Sequence, residues 1–358
     1  MASKATREKK VRAAVLTGHG GPDRLVLRDD VDVPAPGPGE VRVSVTAAAV
    51  NNTDIWTREG AYGKPDDPDA VAGWKGVPLD FPRIQGADIV GRVDQVGEEI
   101  DPGWIGRRVL IDPATYDTAA PDATPIEILG SESDGGFAEY VVTSAGQAHD
   151  VSASPLPDQQ LAALPIAYGT AMGMLDRAGL ASGETVVVTG ASGGVGTALV
   201  QLSAAMGAGV IAVSTSDKAE ALRSIGARSV VDRHASNLPD LVRAAAADGV
   251  DVVADVVGGE MFSLWPGLVA LHGRMVVAGA IAGPLVRLDL RQLYLGQRRI
   301  IGSTMHTPAQ FQRLVQMAVS GEISPLIAGV FPLSRIHEAQ QALRDPATIG
   351  KVIIQIGH

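Results

Sequence analysis

The stretch "VTGASGGVGTALVQL", Val188 to Leu202, constrains this chain more than any other. It joins the apolar run "ETVVVTG" to a segment with helical spacing that continues to Met206, through a turn containing Gly190, Gly193, Gly194 and Gly196. Glycine at a strand-to-helix turn permits a tight reversal and leaves bare backbone at the helix end whose free N–H groups and positive dipole attract anions. A second apolar run, "GVIAVST", follows the helix and completes a βαβ unit. The ligand that needs this combination is the pyrophosphate of a dinucleotide, held by the segment Gly190, Ser192, Gly193, Gly194, Val195 and Gly196. The alternative is a turn that only lets helix and strand pack closely.

The rhythm of that unit continues. "SVVDR", "DVVADVV" and "RMVVAGAI" are apolar strands separated by helical patterns, which predicts a doubly wound parallel sheet over residues 155–295. Residues 11–154 differ, with short β-branched runs such as "EVRVSVTAAAV" and "FAEYVVT" between Gly, Pro and Asp clusters. After residue 296 come two helical segments and the strand "GKVIIQI", which return to complete the first domain. The chain is thus an α/β protein with a β-rich domain, 11–154 plus 296–358, a dinucleotide-binding domain, 155–295, and a basic tail at 1–10.

Charge and composition exclude several classes. With 30 Lys plus Arg against 40 Asp plus Glu, a net charge of −10 argues against a nucleic-acid backbone as partner. The tail lacks the apolar core of a signal peptide, and the uncharged run 185–216 is broken by Gly, Ser and Thr rather than reading as a membrane span, so a cytoplasmic location is expected. There is no cysteine, which rules out disulfides and thiolate metal sites.

The end of "GVIAVST" selects the nicotinamide cofactor. An acidic residue there would bind a ribose 2′-hydroxyl and repel a 2′-phosphate; the chain instead has Ser214, Thr215, Ser216 and Lys218, which favours NADPH over NADH. Asp217 weakens the case, and Lys218 as a solvated surface charge is the alternative.

Several further segments stand in a familiar order: "VNNTDIWTREGAYG", "DGGFAEYVV", "LPIAYGTAMGML", "VVVTGASGGVG", "DVVADVVGG", "GRMVVAGA" and "GKVII". With them, nearly the whole chain resembles the medium-chain dehydrogenase/reductase superfamily and its zinc-free quinone oxidoreductase-like branch. The resemblance implies a GroES-like β domain, a Rossmann domain and an active site in the cleft between them. Zinc-dependent relatives hold a catalytic metal with two cysteines, a histidine and a neighbouring glutamate. The corresponding positions here are Asn51, Ala87, Asp88 and Ile166, and one carboxylate cannot supply the three or four protein ligands that zinc takes. No metal is therefore expected. What remains is hydride transfer to a carbon already activated by conjugation, in a quinone or an α,β-unsaturated carbonyl such as an enone.

The resemblance also implies site residues. Asn51 and Thr53 would donate hydrogen bonds to the acceptor oxygen, and Trp56, standing where such reductases carry a tyrosine, would stack on a flat acceptor. Tyr62 is the candidate proton donor, and Asn51 and Asp54 as turn or capping residues are the alternative for that pair. Tyr168 and Phe137 would line the cleft. Thr170, Val256, Val257, the backbone of Gly279, Ala280 and Ile281, and Lys351 reaching a phosphate would hold the cofactor, a surface position being the alternative for Lys351; His306 is the histidine placed near the cleft, with a solvent-facing loop as the alternative. Residues 64–85, with Trp74 as anchor, would shape substrate entry. A homodimer paired through "RMVVAGAI" as edge strand is expected. A specialised pathway reductase of a conjugated imine or larger enone, and a non-catalytic NADPH-binding sensor or interaction protein, are the alternatives.

Overall fold

The computed structural model describes residues 10–61, 79–246 and 248–357. Six parallel strands form the central sheet, in the order Ala227–Asp232, Gly209–Ser214, Thr185–Val188, Val250–Asp255, Val269–Val277 and Arg299–Gly302. Apolar residues on both faces of these strands explain the double winding. Val186, Val188, Ala212 and Ala254 pack on the helices Pro165–Ala178 and Gly194–Ala205, while Val187, Ile211 and Val253 pack on Leu238, Val242 and Trp265 from the opposite side.

Two expectations are corrected here. The parallel sheet does not stop at residue 295, because Arg299–Gly302 pairs with Arg274 to Val277 as the sixth strand. For the same reason "RMVVAGAI" is not an edge: Val269–Val277 is covered on both sides, and the outer strand is Arg299–Gly302.

The second sheet is built mostly from the first 150 residues. Its strands run in the order Ala148–Asp150, Arg108–Ile111, Asp88–Val96, Glu40–Val50, Lys351–Gln355 and Ile327–Pro332, with Tyr140–Ser144 also on Glu40–Val50. The last strand of the chain enters antiparallel, Val352 opposite Val50 and Ile353 opposite Ala49. That register brings Lys351 to the point where strand Glu40–Val50 gives way to helix Asn52–Glu59. Ala47, Ala49 and Val90 of this sheet share one core with helix Pro165–Ala178, so the two sheets meet through it. Among the described residues no helix is long and apolar enough to cross a membrane.

Candidate active site

The glycine turn sits where strand Thr185–Val188 hands over to helix Gly194–Ala205. Gly190 has φ +56°, a left-handed conformation that favours glycine, and a Cβ on Gly196 would stand 2.0 Å from the Gly190 carbonyl oxygen. Both glycines are therefore required by the backbone itself. Gly194, Val195 and Gly196 open the helix, where N–H groups have no carbonyl one turn back to bond. Val256 and Val257 lie against Gly190, and Asp255 fixes that neighbouring turn by accepting the N–H groups of Val257 and Gly258, each at 3.1 Å. The cradle suits a pyrophosphate.

At the end of strand Gly209–Ser214 the geometry departs from expectation. Lys218 is buried, and its ammonium donates to the Ser192 hydroxyl at 3.2 Å and to the carbonyls of Pro346 and Thr348 at 2.5 and 3.0 Å. Burial pushes its pKa down. A lysine with all three protons on protein acceptors is neither a surface charge nor a free 2′-phosphate ligand; it ties the glycine turn to the C-terminal segment. Ser214 is buried, and the Ser216 hydroxyl donates to Asp232. The exposed cation beside this strand end is Arg233, whose N–H bonds the Ser214 carbonyl at 2.8 Å. Sequence reasoning passed over it because it follows the neighbouring strand, 19 residues after Ser214.

A cleft of about 830 Å³ opens between the two sheets. Thr53, Asp54 and Trp56, from helix Asn52–Glu59, form one wall; Ala278, Gly279 and Ala280, after strand Val269–Val277, form the other. Ile281 lies just beyond the lining and is exposed. Arg177 joins the lining from the last turn of helix Pro165–Ala178, its Nη1 donating to the Ser303 hydroxyl at 3.0 Å and the Met305 carbonyl at 3.1 Å. Burial lowers its pKa against the opposing charge of Asp176.

The four positions of the zinc ligands in other relatives hold a different structure. Asp88 accepts the Lys351 ammonium at 2.8 Å and the Asn51 amide at 2.9 Å on one oxygen, and the Ile166 N–H at 2.6 Å on the other. Lys351 also donates to Asn51 Oδ1 at 2.6 Å and to the Val50 carbonyl at 3.2 Å. Lys351 is 2% exposed and Asp88 0%. An internal ammonium thus takes up the oxygen donors, and Ala87 and Ile166 offer no side-chain ligand. These residues do not fit a tetrahedral zinc, and no group of three or more His, Cys, Asp or Glu able to hold a metal occurs among the described residues.

Other expected positions also need correction. Lys351 does not reach toward a phosphate: its methylenes pass Gly194, but its ammonium is spent on Val50, Asn51 and Asp88. Asn51 is buried with its amide hydrogens on Asp88 and the Ala49 carbonyl, so it organises the network instead of facing the acceptor. Tyr168 is 1% exposed, its hydroxyl on Gln201 at 3.0 Å, and burial raises its pKa; it is core. Phe137 is core too, packed on Gly86. His306 is fully buried with Nε2 3.0 Å from Asp112. Thr170 is buried in helix Pro165–Ala178 and does not line the cleft; Thr215 leads into the turn at Ser216–Lys218. Tyr62, Trp74 and most of 64–85 lie outside the described residues.

The residues missed from sequence are Asp54 as a cleft carboxyl, Arg177, and the contact between Lys351 and Asp88. Asp54 accepts the Asn51 backbone N–H at 2.7 Å, as a capping residue would, yet it also lines the cleft and its carboxyl pKa is raised to about 7, chiefly by desolvation.

Comparisons with known proteins agree with this architecture. The profile of the alcohol dehydrogenase GroES-like domain matches residues 37–153 and that of the zinc-binding dehydrogenases residues 194–320. Mouse quinone oxidoreductase is 30% identical, over 98% of this chain and 99% of its own, and acryloyl-coenzyme A reductase of Sulfurisphaera tokodaii is 29% identical, over 94% and 98%. The crystal structure of a Sinorhizobium meliloti protein, 46% identical, superposes with a TM-score of 0.93 over 99% of this chain and 98% of that one. A 2-octenoyl-CoA carboxylase reductase bound to NADP and 2-octenoyl-CoA, 26% identical, gives 0.83 over 98% and 89%. With two sheets sharing one core, a dinucleotide cradle and relatives that match end to end, the chain belongs to the medium-chain dehydrogenase/reductase superfamily and is an oxidoreductase.

Proposed function

We propose that the protein is a zinc-independent, NADPH-dependent reductase of conjugated carbonyl acceptors, either quinones or α,β-unsaturated carbonyl compounds. The observation that carries this reading is the Lys351–Asp88–Asn51 network standing at the metal positions beside an open, largely apolar cleft. Without a Lewis acid to polarise an isolated carbonyl, the acceptor must already be electrophilic at carbon. The bound nicotinamide supplies the hydride. The turn Gly190–Gly196 holds the pyrophosphate, Arg233 with Thr215 receives the 2′-phosphate, and Gly279 and Ala280 back the cofactor in the cleft. Thr53 and Trp56 orient the acceptor against it.

Relatives that act on quinones and on acryloyl-coenzyme A support both acceptor classes. The cleft volume of about 830 Å³ suits a flat quinone or the acyl end of an enoyl thioester. We further propose a cytoplasmic homodimer. Strand Arg299–Gly302 has an open edge, and Leu290, Tyr294, Leu295 and Ile300 beside it are exposed; a second copy would cover them.

The test is oxidation of NADPH and NADH by chelator-treated protein with a quinone, an enone, a short enoyl-CoA and an aldehyde. Turnover of NADPH with conjugated acceptors and none with the aldehyde is expected. Aldehyde turnover that is lost on chelation and restored by added zinc would refute zinc independence. Tight binding without turnover on any acceptor would instead favour the sensor reading.

A further inference from the structure

Three ionisable groups are buried together beneath the cleft wall: Asp54 (4% exposed), Asp88 (0%) and Lys351 (2%). Their charges do not balance if all are ionised, since two carboxylates face one ammonium. The hydrogen bonds show which carboxyl holds the negative charge. Asp88 takes the ammonium, the Asn51 amide and the Ile166 N–H, whereas the Lys351 ammonium has no proton left for Asp54. Among the described residues Asp54 keeps only backbone donors, the Asn51 N–H at 2.7 Å and the Gly86 amide. Among the described residues no other charge faces it. Arg58, one turn on, bonds Gln340 and lies beside Glu59; Arg83, before Gln85, pairs with Asp134; Arg177 on the cleft lining bonds Ser303 and Met305. A buried carboxyl without a countercharge is most stable with its proton on.

We propose that Asp54 is the proton donor of the reduction. It lines the cleft between Thr53 and Trp56, the residues that orient the acceptor, and so lies at the wall an acceptor oxygen would face. The inference rests on the reading of the protein as a conjugated-carbonyl reductase. The acceptor β-carbon gains a hydride from the reduced nicotinamide, the C=C pair shifts toward the carbonyl, and the oxyanion or the α-carbon takes H⁺ from the Asp54 carboxyl. Asp54 is left as carboxylate and regains a proton from water, so the cycle consumes one NADPH and one proton per acceptor. The adjacent Asp88 charge raises the proton affinity of Asp54 as desolvation does, and Lys351 opposes it. Asp88 and Lys351 are therefore positioning residues, acting through Asp54.

Two measurements test this. Difference infrared spectroscopy of wild-type apoprotein reads the C=O band of a protonated carboxyl without any variant; the band is expected to vanish as pH rises through about 7 and to be missing in Asp54→Asn. Asp54→Asn keeps an oxygen for the Asn51 N–H but has no acidic proton. Its kcat with an enone should fall by about 100-fold, the scale of general acid catalysis, with NADPH affinity within twofold of wild type and the alkaline limb of the pH profile lost. A wild type with no titrating band, or an Asp54→Asn variant with unchanged kcat and pH profile, overturns the role of Asp54 alone. A wild type that oxidises NADPH with no acceptor overturns the reductase reading, and the proton role falls with it.

Discussion

Replacing Lys351 with methionine is the sharpest structural test of the network at the metal positions. Methionine has a similar length and no charge, so the change removes three hydrogen bonds, to Val50, Asn51 and Asp88, while filling most of the space beside Gly194. It leaves Asp88, which is fully buried, with the Asn51 amide and the Ile166 N–H but no cation. Breaking a buried ion pair from one side costs about 3–5 kcal/mol, much of it the stranded charge. With an unfolding entropy of about 2.1 cal/mol/K per residue, a chain of this length unfolding in one transition has roughly 0.75 kcal/mol/K, so the melting temperature should fall by about 4–7 °C. The second arm is Lys351→Met with Asp88→Asn, which removes both charges. Replacing a whole buried pair is often near neutral, and the double variant should recover most of the loss. Differential scanning calorimetry at pH 8 and pH 5.5 reads both. A single variant melting within about 1 °C of wild type, or a double variant no better than the single, would refute the claim that the ammonium compensates Asp88.

Other consequences can be checked separately. The raised pKa of Asp54 makes it a liability to stability as pH rises. The unfolded carboxyl loses its proton near pH 4 and the folded one near 7, so native protein binds the extra proton between these values and stability declines across that window, by roughly 4 kcal/mol in all. Asp54→Asn should therefore gain stability relative to wild type between pH 5 and 8, and a constant difference in melting temperature would count against it. Gly196→Ala, whose methyl would meet backbone at 2.0 Å, should weaken NADPH binding at least tenfold in a fluorescence titration; normal binding would show that the turn can relax. Arg233→Ala should raise the Kd of NADPH by about tenfold, the size of one charge-assisted contact, and leave NADH alone; an equal effect on both would remove Arg233 from 2′-phosphate recognition. Tyr294→Glu with Leu295→Glu, both at exposed positions, should give a monomer in light scattering if a second copy covers that face.

The elements were legible because their causes are local. Fully apolar runs such as Val186–Val188 can only be strands buried on two faces, and a glycine at 190 and 196 announces the turn between strand and helix. The order of the sheet was readable only in part. "RIIG" is short, preceded by Arg298 and mostly exposed, so nothing in its pattern separates a sixth strand from a loop, and "RMVVAGAI" reads as the edge. The position of the last strand was readable as a return to the first domain, though not its register.

The site was less legible than the fold, and the two lysines show why. Lys218 follows a strand end in the place of a phosphate ligand, and Lys351 stands in a motif near the cofactor, so each position was readable. A lysine stem spans four methylenes, and what its ammonium meets is decided by acceptors far away in the chain. For Lys218 these lie 128 and 130 residues on, at Pro346 and Thr348; for Lys351 they lie 263 and 300 residues back, at Asp88 and Asn51. The missing zinc ligands point the same way. Once cysteine, histidine and glutamate give way to Asn51, Ala87, Ile166 and the shorter Asp88, a buried carboxylate still needs a cation, and the register of Val352 against Val50 places Lys351 within reach. The charge taken up by that pair is what leaves Asp54, bonded to the Asn51 N–H at the start of the helix, as a carboxyl with a proton to give.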